Sequence, residues 1–140
     1  MSDLVILDTN VILSGLRSRR GFSFKLLELL TQEQFKIGIS VPLILEYESV
    51  LLRFRDSTSL SERDIKGFIN YLCKVGQHVE IYYLWRPFLK DSFDDHILEV
   101  AVSSGSGKII TFNKKDFQGV DQFGISVLIP KKYLIERGLA

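Results

Sequence analysis

Four small groups of acids and amides in this chain have the side chains to hold a cation. Asp8 closes "LVILDTN" (residues 4–10), with Thr9 and Asn10 behind it. Glu46 sits inside "VPLILEYESVLLRF" (41–54). Asp91, Asp94 and Asp95 crowd "KDSFDDHILEV" (90–100), and Asn113 and Asp116 share "TFNKKDF" (111–117). Carboxylates gathered in one place repel unless a counter-charge relieves them. A hard divalent cation bound through oxygen does so. No Cys/His spacing for zinc is present, and His78 and His96 lie apart without a motif, which suits surface or packing roles.

Each group also has a plainer reading. Asp8 is a favoured helix cap, as Thr9 and Asn10 are favoured turn residues. On a helical wheel Leu43, Tyr47, Val50, Leu51 and Phe54 share one face. Glu46 lies about 90° from its centre, where a solvated side chain is ordinary, and Glu48 lies on the other flank. Ser92 with Asp95 fits a capping box, which has no need of Asp94. Asn113 and Asp116 are common turn formers.

The elements that would position these groups follow from the apolar pattern. "LVIL" (4–7) is a continuous run suited to a parallel strand covered on both faces. A short helix is expected over Val11–Leu16, then the basic loop "RSRRG" (17–21), a helix over Ser23–Gln32 and a strand over Lys36–Ser40. A helix over Val41–Phe54 takes Pro42 in its first turn. Residues 55–61 read as a loop. Ser59 or Ser61 caps a helix over Glu62–Val75, and a third extended run covers His78–Leu84. The last elements are a helix over Phe93–Ser103, strands over Lys108–Phe112 and Gly124–Ile129 with a turn over Asn113–Phe117 between them, and a short helix from Pro130. Strands alternating with helices predict one open α/β domain over residues 1–140. In such sheets ligands gather at the carboxyl ends of the strands, where Asp8, Glu46, Asn113 and Asp116 all fall. Leu45 and Leu52 lie opposite the core face, against another element or a partner chain.

The totals set limits. With 140 residues, 46% of them hydrophobic, the chain can bury a core of its own. The net charge is +1, with nine basic and nine acidic residues in the first half, so any polyanion must be attracted by local patches. Arg17, Arg19 and Arg20, and Lys114 with Lys115, are such patches, although charge clusters are also ordinary solvated surface. Tyr82, Tyr83 and Trp85 are available for base stacking, but core packing is the role that aromatic residues more often take. A single Cys73 leaves no internal disulfide, and no apolar run approaches a membrane span, which is the expectation for a cytoplasmic protein. No phosphate loop, dinucleotide-binding glycine pattern or serine elbow is present. "SGSGK" (104–108) enters a strand, whereas a phosphate loop leaves one.

Taken together, "VILDTNVILSGL", "VPLILEYESVL" and "FDDHILEVAVSSGSGKIITFNKKDF" resemble the PIN-domain nucleases in order and spacing, from Leu4 to about Pro130. The nearest branch resembles the PIN-family toxins of toxin–antitoxin pairs, akin to VapC. The resemblance implies a three-layer α/β/α sandwich with a mainly parallel sheet of about five strands. It implies acidic residues that hold magnesium or manganese and cut RNA, or in some branches DNA. Asp8 matches the first acid of the family, Glu46 the second and Asp94 the third, with Asp95 competing for that place. Asn113 stands where many members carry a fourth acid, a weaker ligand for a second cation, and Asp116 supplies the later acid of that motif. Thr9, Asn10 and Thr111 would orient the acids. The family also implies a homodimer and a small antitoxin partner.

The expected chemistry is then metal-assisted phosphodiester hydrolysis. The rival class is a non-catalytic α/β module binding RNA or protein, with Asp8 and Asp94 as caps and Glu46 as surface. A receiver-like phosphoacceptor domain fits less well, because its paired acids, acceptor and lysine do not fall on the required strands. The first two readings part on whether a divalent metal is needed.

Overall fold

The computed structural model describes residues 3–81, 89 and 92–140, with Ser92 and Phe93 described in backbone only. Five strands form one sheet: β1 (Leu4–Leu7), β2 (Lys36–Ile39), β3 (Gln77–His78), β4 (Lys108–Ile110) and β5 (Ser126–Leu128). Their order is β3-β2-β1-β4-β5, and every neighbouring pair is parallel. The continuous apolar run of β1 has the expected cause: Val5, Ile6 and Leu7 are fully buried at the centre of the sheet, as a strand covered on both faces requires.

Among the described residues, six α-helices connect and flank the strands: α1 (Thr9–Arg17), α2 (Phe22–Thr31), α3 (Val41–Arg53), α4 (Glu62–Val75), α5 (Ser92–Ser104) and α6 (Pro130–Glu136). The strand order carries the chain outward from β1 to β2 and β3, with β4 on the other side of β1, and parallel strands of one sheet are joined by crossovers that are right-handed as a rule. They put α5 on the face opposite α1–α4, giving an α/β/α sandwich. α5 packs on β1, β2 and β4, α4 packs on β2, and α6 packs on α2. The turn from α5 into β4 explains "SGSGK": Gly105 and Gly107 have φ of 70° and 73°, a conformation glycine adopts without steric cost. Ser106 Oγ there accepts from Lys108 N–H at 3.1 Å and donates to Lys108 O at 3.0 Å.

Several expectations needed correction. α1 is longer than the predicted 11–16, because the Asp8 cap that residue type suggested starts it at Thr9. On α3, Leu43, Tyr47 and Leu51 are buried, but Phe54 is 43% exposed and Val50 only half-buried, so the core stripe is narrower than the wheel drew it. Leu52 packs at the edge of the core, whereas Leu45 is 59% exposed. The loop at 55–61 contains a 3₁₀ turn over Arg55–Ser57 and a buried Thr58, whose hydroxyl donates to Arg55 O at 2.7 Å. Ser61, not Ser59, caps α4 in a reciprocal box with Asp64. β3 stops at His78, with Val79 N–H still donating to Ile39 O at 2.8 Å. The rest of that predicted run from Tyr82 onward, Trp85 and Asp91 lie outside the described residues, as does the side chain of Ser92.

At the amino ends of the strands a polar clasp joins β1, β4 and α6. Asp3 Oδ2 accepts from Tyr133 Oη at 2.8 Å, Lys108 Nζ at 3.2 Å and Arg137 Nη1 at 3.5 Å. Arg137 Nη2 also donates to Gln34 O at 3.0 Å. Burial alone would raise the Asp3 carboxyl, but the Tyr133 and Lys108 hydrogen bonds and the two cations outweigh it and hold it below 3.8.

Candidate active site at the carboxyl edge of the sheet

β1 and β4 are neighbours whose onward connections run in opposite directions. Such a switch point opens a crevice at the carboxyl ends of the strands, and Asp8 stands at its mouth. The residue caps α1 from extended backbone (φ −67°, ψ 151°), and its Oδ1 accepts from Thr9 N–H at 2.7 Å. Its Oδ2 accepts from Thr111 Oγ1, also at 2.7 Å, across the β1–β4 junction. Capping and site geometry are therefore one arrangement here, not alternatives. Asp8 is 8% exposed, Thr9 8% and Thr111 0%, so this carboxylate is held by short bonds in a largely desolvated place.

The junction is stitched further. Asp8 N–H donates to Ile110 O at 2.9 Å, and Thr111 N–H to Leu128 O at 2.9 Å, extending the ladders past the strand ends. Asn10 Oδ1 accepts from Phe112 N–H at 3.4 Å, and Thr111 Oγ1 accepts from Asn113 N–H at 3.0 Å. Asn10 and Thr111 thus engage the turn that carries Asn113, while Thr9 engages Asp8.

Glu46 reaches the same edge by a different route. Ser40, directly after β2, caps α3 by accepting from Leu43 N–H at 3.2 Å, so the first turns of α3 lie at the carboxyl edge. Tyr47, beside Glu46, is fully buried, and its hydroxyl donates to Leu7 O. Burial pushes this phenol well above 10.0, and the charge of Asp8 pushes it further, so Tyr47 remains a donor at any ordinary pH. The bond pins α3 to the last residue of β1, one position before Asp8. This role was missed in the sequence, where Tyr47 read simply as core. The available signal was a tyrosine inside an apolar stripe, since a buried phenol needs a partner.

α5 runs antiparallel to the strands, because it delivers the chain to the amino end of β4. Its first turn, with Asp94 and Asp95, therefore lies at the carboxyl edge as well. The two acids differ. Asp95 is 1% exposed, and its Oδ1 accepts from Leu89 N–H at 2.9 Å, so it ties the preceding segment to the helix. Asp94 is half-buried. Asn113 and Asp116 are exposed on the turn after β4, with Asp116 N–H donating to Asn113 O at 3.0 Å. Lys114 and Lys115 are exposed on the same 3₁₀ turn, which buried Phe117 anchors. The arginines separate: Arg17 Nε donates to Ser57 Oγ at 3.2 Å, while Arg19 and Arg20 line a different cleft.

Among the described residues, no three His, Cys, Asp or Glu side chains converge into a metal cage. The donor set nonetheless suits a hard cation, being carboxylate and amide oxygen throughout. Magnesium keeps several waters and takes only one or two carboxylates plus substrate phosphates.

Comparison with known proteins places the chain. A family model described as "PIN domain" matches residues 4–115. Among solved structures, the chain is similar to one in the crystal structure of VapBC2 from Rickettsia felis bound to a DNA fragment from their promoter. The TM-score is 0.61 at 13% identity, covering 89% of this chain and 96% of that one. No curated protein matches.

Proposed function

The chain belongs to the PIN domain family, and from that membership we propose that it is a divalent-metal-dependent nuclease hydrolysing phosphodiester bonds of single-stranded RNA. The observation that carries this reading is Asp8, held by Thr9 N–H and Thr111 Oγ1 at the switch point of a parallel sheet. Asp8, Glu46 and Asp94 are the residues that would hold magnesium or manganese. A cation held there would supply polarisation of a phosphate oxygen and a water of lowered pKa.

The chain's own residues do the rest. Thr111 and Thr9 fix the Asp8 carboxylate, and Tyr47 fixes Glu46 against the end of β1. Asp95, engaged with Leu89 N–H, is a tether in this scheme and leaves Asp94 as the ligand. Asn113, neutral, favours one tightly held cation over two, with Asp116 an exposed outer acid. Lys114 and Lys115 contact the phosphates beside the cut. The likeness to VapBC2 supports a toxin paired with a small antitoxin, and a second copy of the chain completes the expected assembly.

The test is incubation of the protein with labelled single-stranded RNAs in Mg²⁺, Mn²⁺ or EDTA, beside Asp8→Asn. Cleavage that requires metal and disappears in Asp8→Asn is the expected result. Intact RNA in both metals, with no metal-dependent shift in melting temperature, would favour a binding module instead.

A further inference from the structure

The chain carries a net charge of only +1, yet one cleft collects cations. The loop after α1, the start of α2 and the residues after α6 enclose about 550 Å³, lined by Arg19, Arg20, Phe22, Phe24, Lys25 and Leu139. Glu28, the one acidic side chain of its lining, stands 3.8 Å from Lys25 Nζ, and Ala140 lines the cleft as well. Among the described residues no carboxylate lies within ion-pair distance of Arg19, Arg20 or Lys131. The start of α2, capped by Gly21 without a side-chain bond and free of first-turn acids, adds partial charge of the same sign. Phe22 is 44% exposed, with Lys131 Nζ 5.7 Å from its ring centroid.

The cleft is connected to the carboxylate edge. α1 begins beside Asp8 and ends about 13 Å along its axis at Arg17, just before Arg19. Lys131 opens α6 directly after β5, whose carboxyl end lies on the edge that carries Asp8. Lys114 and Lys115 follow the neighbouring β4 on that edge. Cations therefore run from the edge, past Lys131, to Arg19 and Arg20. Cations that track phosphates, combined with an exposed ring on which a base can stack, are what single-stranded nucleic acid requires. An acidic protein segment would use the cations but leave the ring without a role.

We propose that the cleft of Arg19, Arg20, Phe22 and Lys25 is a second nucleic-acid contact, gripping the single-stranded substrate away from the cutting edge. As a substrate contact it rests on the nuclease reading, but binding and cleavage can be scored separately. The test is fluorescence anisotropy in EDTA with labelled oligouridylate and oligodeoxythymidylate of about 20 nucleotides, longer than typical single-strand sites of ~4–16. An Arg19→Ala/Arg20→Ala variant should bind more weakly, and its log–log salt slope should flatten by about 1.4, two contacts at ~0.7 each. Phe22→Ala should weaken binding at least about fivefold and leave the slope unchanged. Phe22→Leu, which keeps apolar packing but not the stacking face, should behave the same way.

Wild-type affinity and slope in all three variants would overturn the proposal, as would failure of the wild type to bind either oligonucleotide. Binding of polyglutamate with the same arginine dependence, where oligonucleotides do not bind, would assign the cleft to an acidic protein and also overturn it. If the wild type cleaves RNA in metal while the variants bind normally, the cleft falls and the nuclease stands. Arginine-dependent binding without any metal-dependent cleavage sinks the nuclease and supports the cleft.

Discussion

Replacing Thr111 by valine is the sharpest probe of how Asp8 is held. Valine matches threonine in shape, so the hydrophobic contacts survive and only the hydroxyl is lost. That hydroxyl donates to Asp8 Oδ2 at 2.7 Å and accepts from Asn113 N–H at 3.0 Å. The second loss is small, because Asn113 is exposed and water can replace the acceptor. The first is not, because Asp8 is only 8% exposed, and hydrogen bonds to charged groups contribute about 1.5–3 kcal/mol. In a chain of this size each kcal/mol moves the melting temperature by about 2–4 °C, so Thr111→Val should melt about 3–12 °C lower. Thr111→Ser, which keeps the hydroxyl, should melt closer to the wild type. The same loss frees the carboxylate plane, and groups that orient metal ligands typically contribute about 10–100-fold to metal affinity or activity. The assay pairs melting curves, with and without Mn²⁺, with RNA cleavage rates. A Thr111→Val protein that melts within about 1 °C of wild type and keeps the full Mn²⁺ shift would refute the argument.

Three further predictions follow from the packing. Tyr47→Phe removes the bond to Leu7 O and should cost about 1–3 kcal/mol in urea unfolding. It should also shrink the Mn²⁺-dependent melting shift, because α3 and Glu46 are no longer pinned to β1. Ser61→Ala breaks the reciprocal cap with Asp64 and should cost about 1 kcal/mol, with metal response and cleavage unaltered. Asp3 titrates below 3.8 in the folded chain, so its contribution is complete above the ordinary carboxylate range and vanishes as pH falls through the lowered folded value. Asp3→Asn should therefore melt lower than wild type at neutral pH, and the difference between the two should shrink as pH falls below the ordinary carboxylate range.

The sequence was most legible where local chemistry agrees with tertiary packing. Helix Glu62–Val75 was placed residue for residue, because Ser61 and Asp64 cap it and the apolar period continues to Val75. Asp8 was legible as both cap and strand terminus, and it serves as both. The choice between Asp94 and Asp95 was less legible, since adjacent residues on a helix differ by about 100° in direction. Only the chain that precedes the helix decides which is buried, and Leu89 N–H claims Asp95. Tyr47 shows the same limit, for nothing near it in sequence announces that its hydroxyl meets Leu7, 40 residues earlier. Val50 and Phe54 were overcounted as core because a wheel gives the angle of a side chain and not the width of the surface that receives it. The cations of the cleft were visible as "RSRR", but their link to Phe22 and Lys131 exists only once α6 has returned beside α2.

The Asp3 clasp has a consequence for engineering. Because Asp3 and Arg137 touch, the first described strand and the last helix finish side by side, at the opposite end of β1 from Asp8. Chains whose ends meet tolerate circular permutation. A short linker from Leu139 or Ala140 to the residues before Leu4, with new ends opened near Ser57–Ser59, would cut the backbone outside every strand and helix of the core. Such a permutant would transfer the free ends to the neighbourhood of Arg17 and Ser57. Fusion partners attached at the original ends should leave the carboxylate edge clear, whereas the same partners on the permutant would sit beside the end of α1.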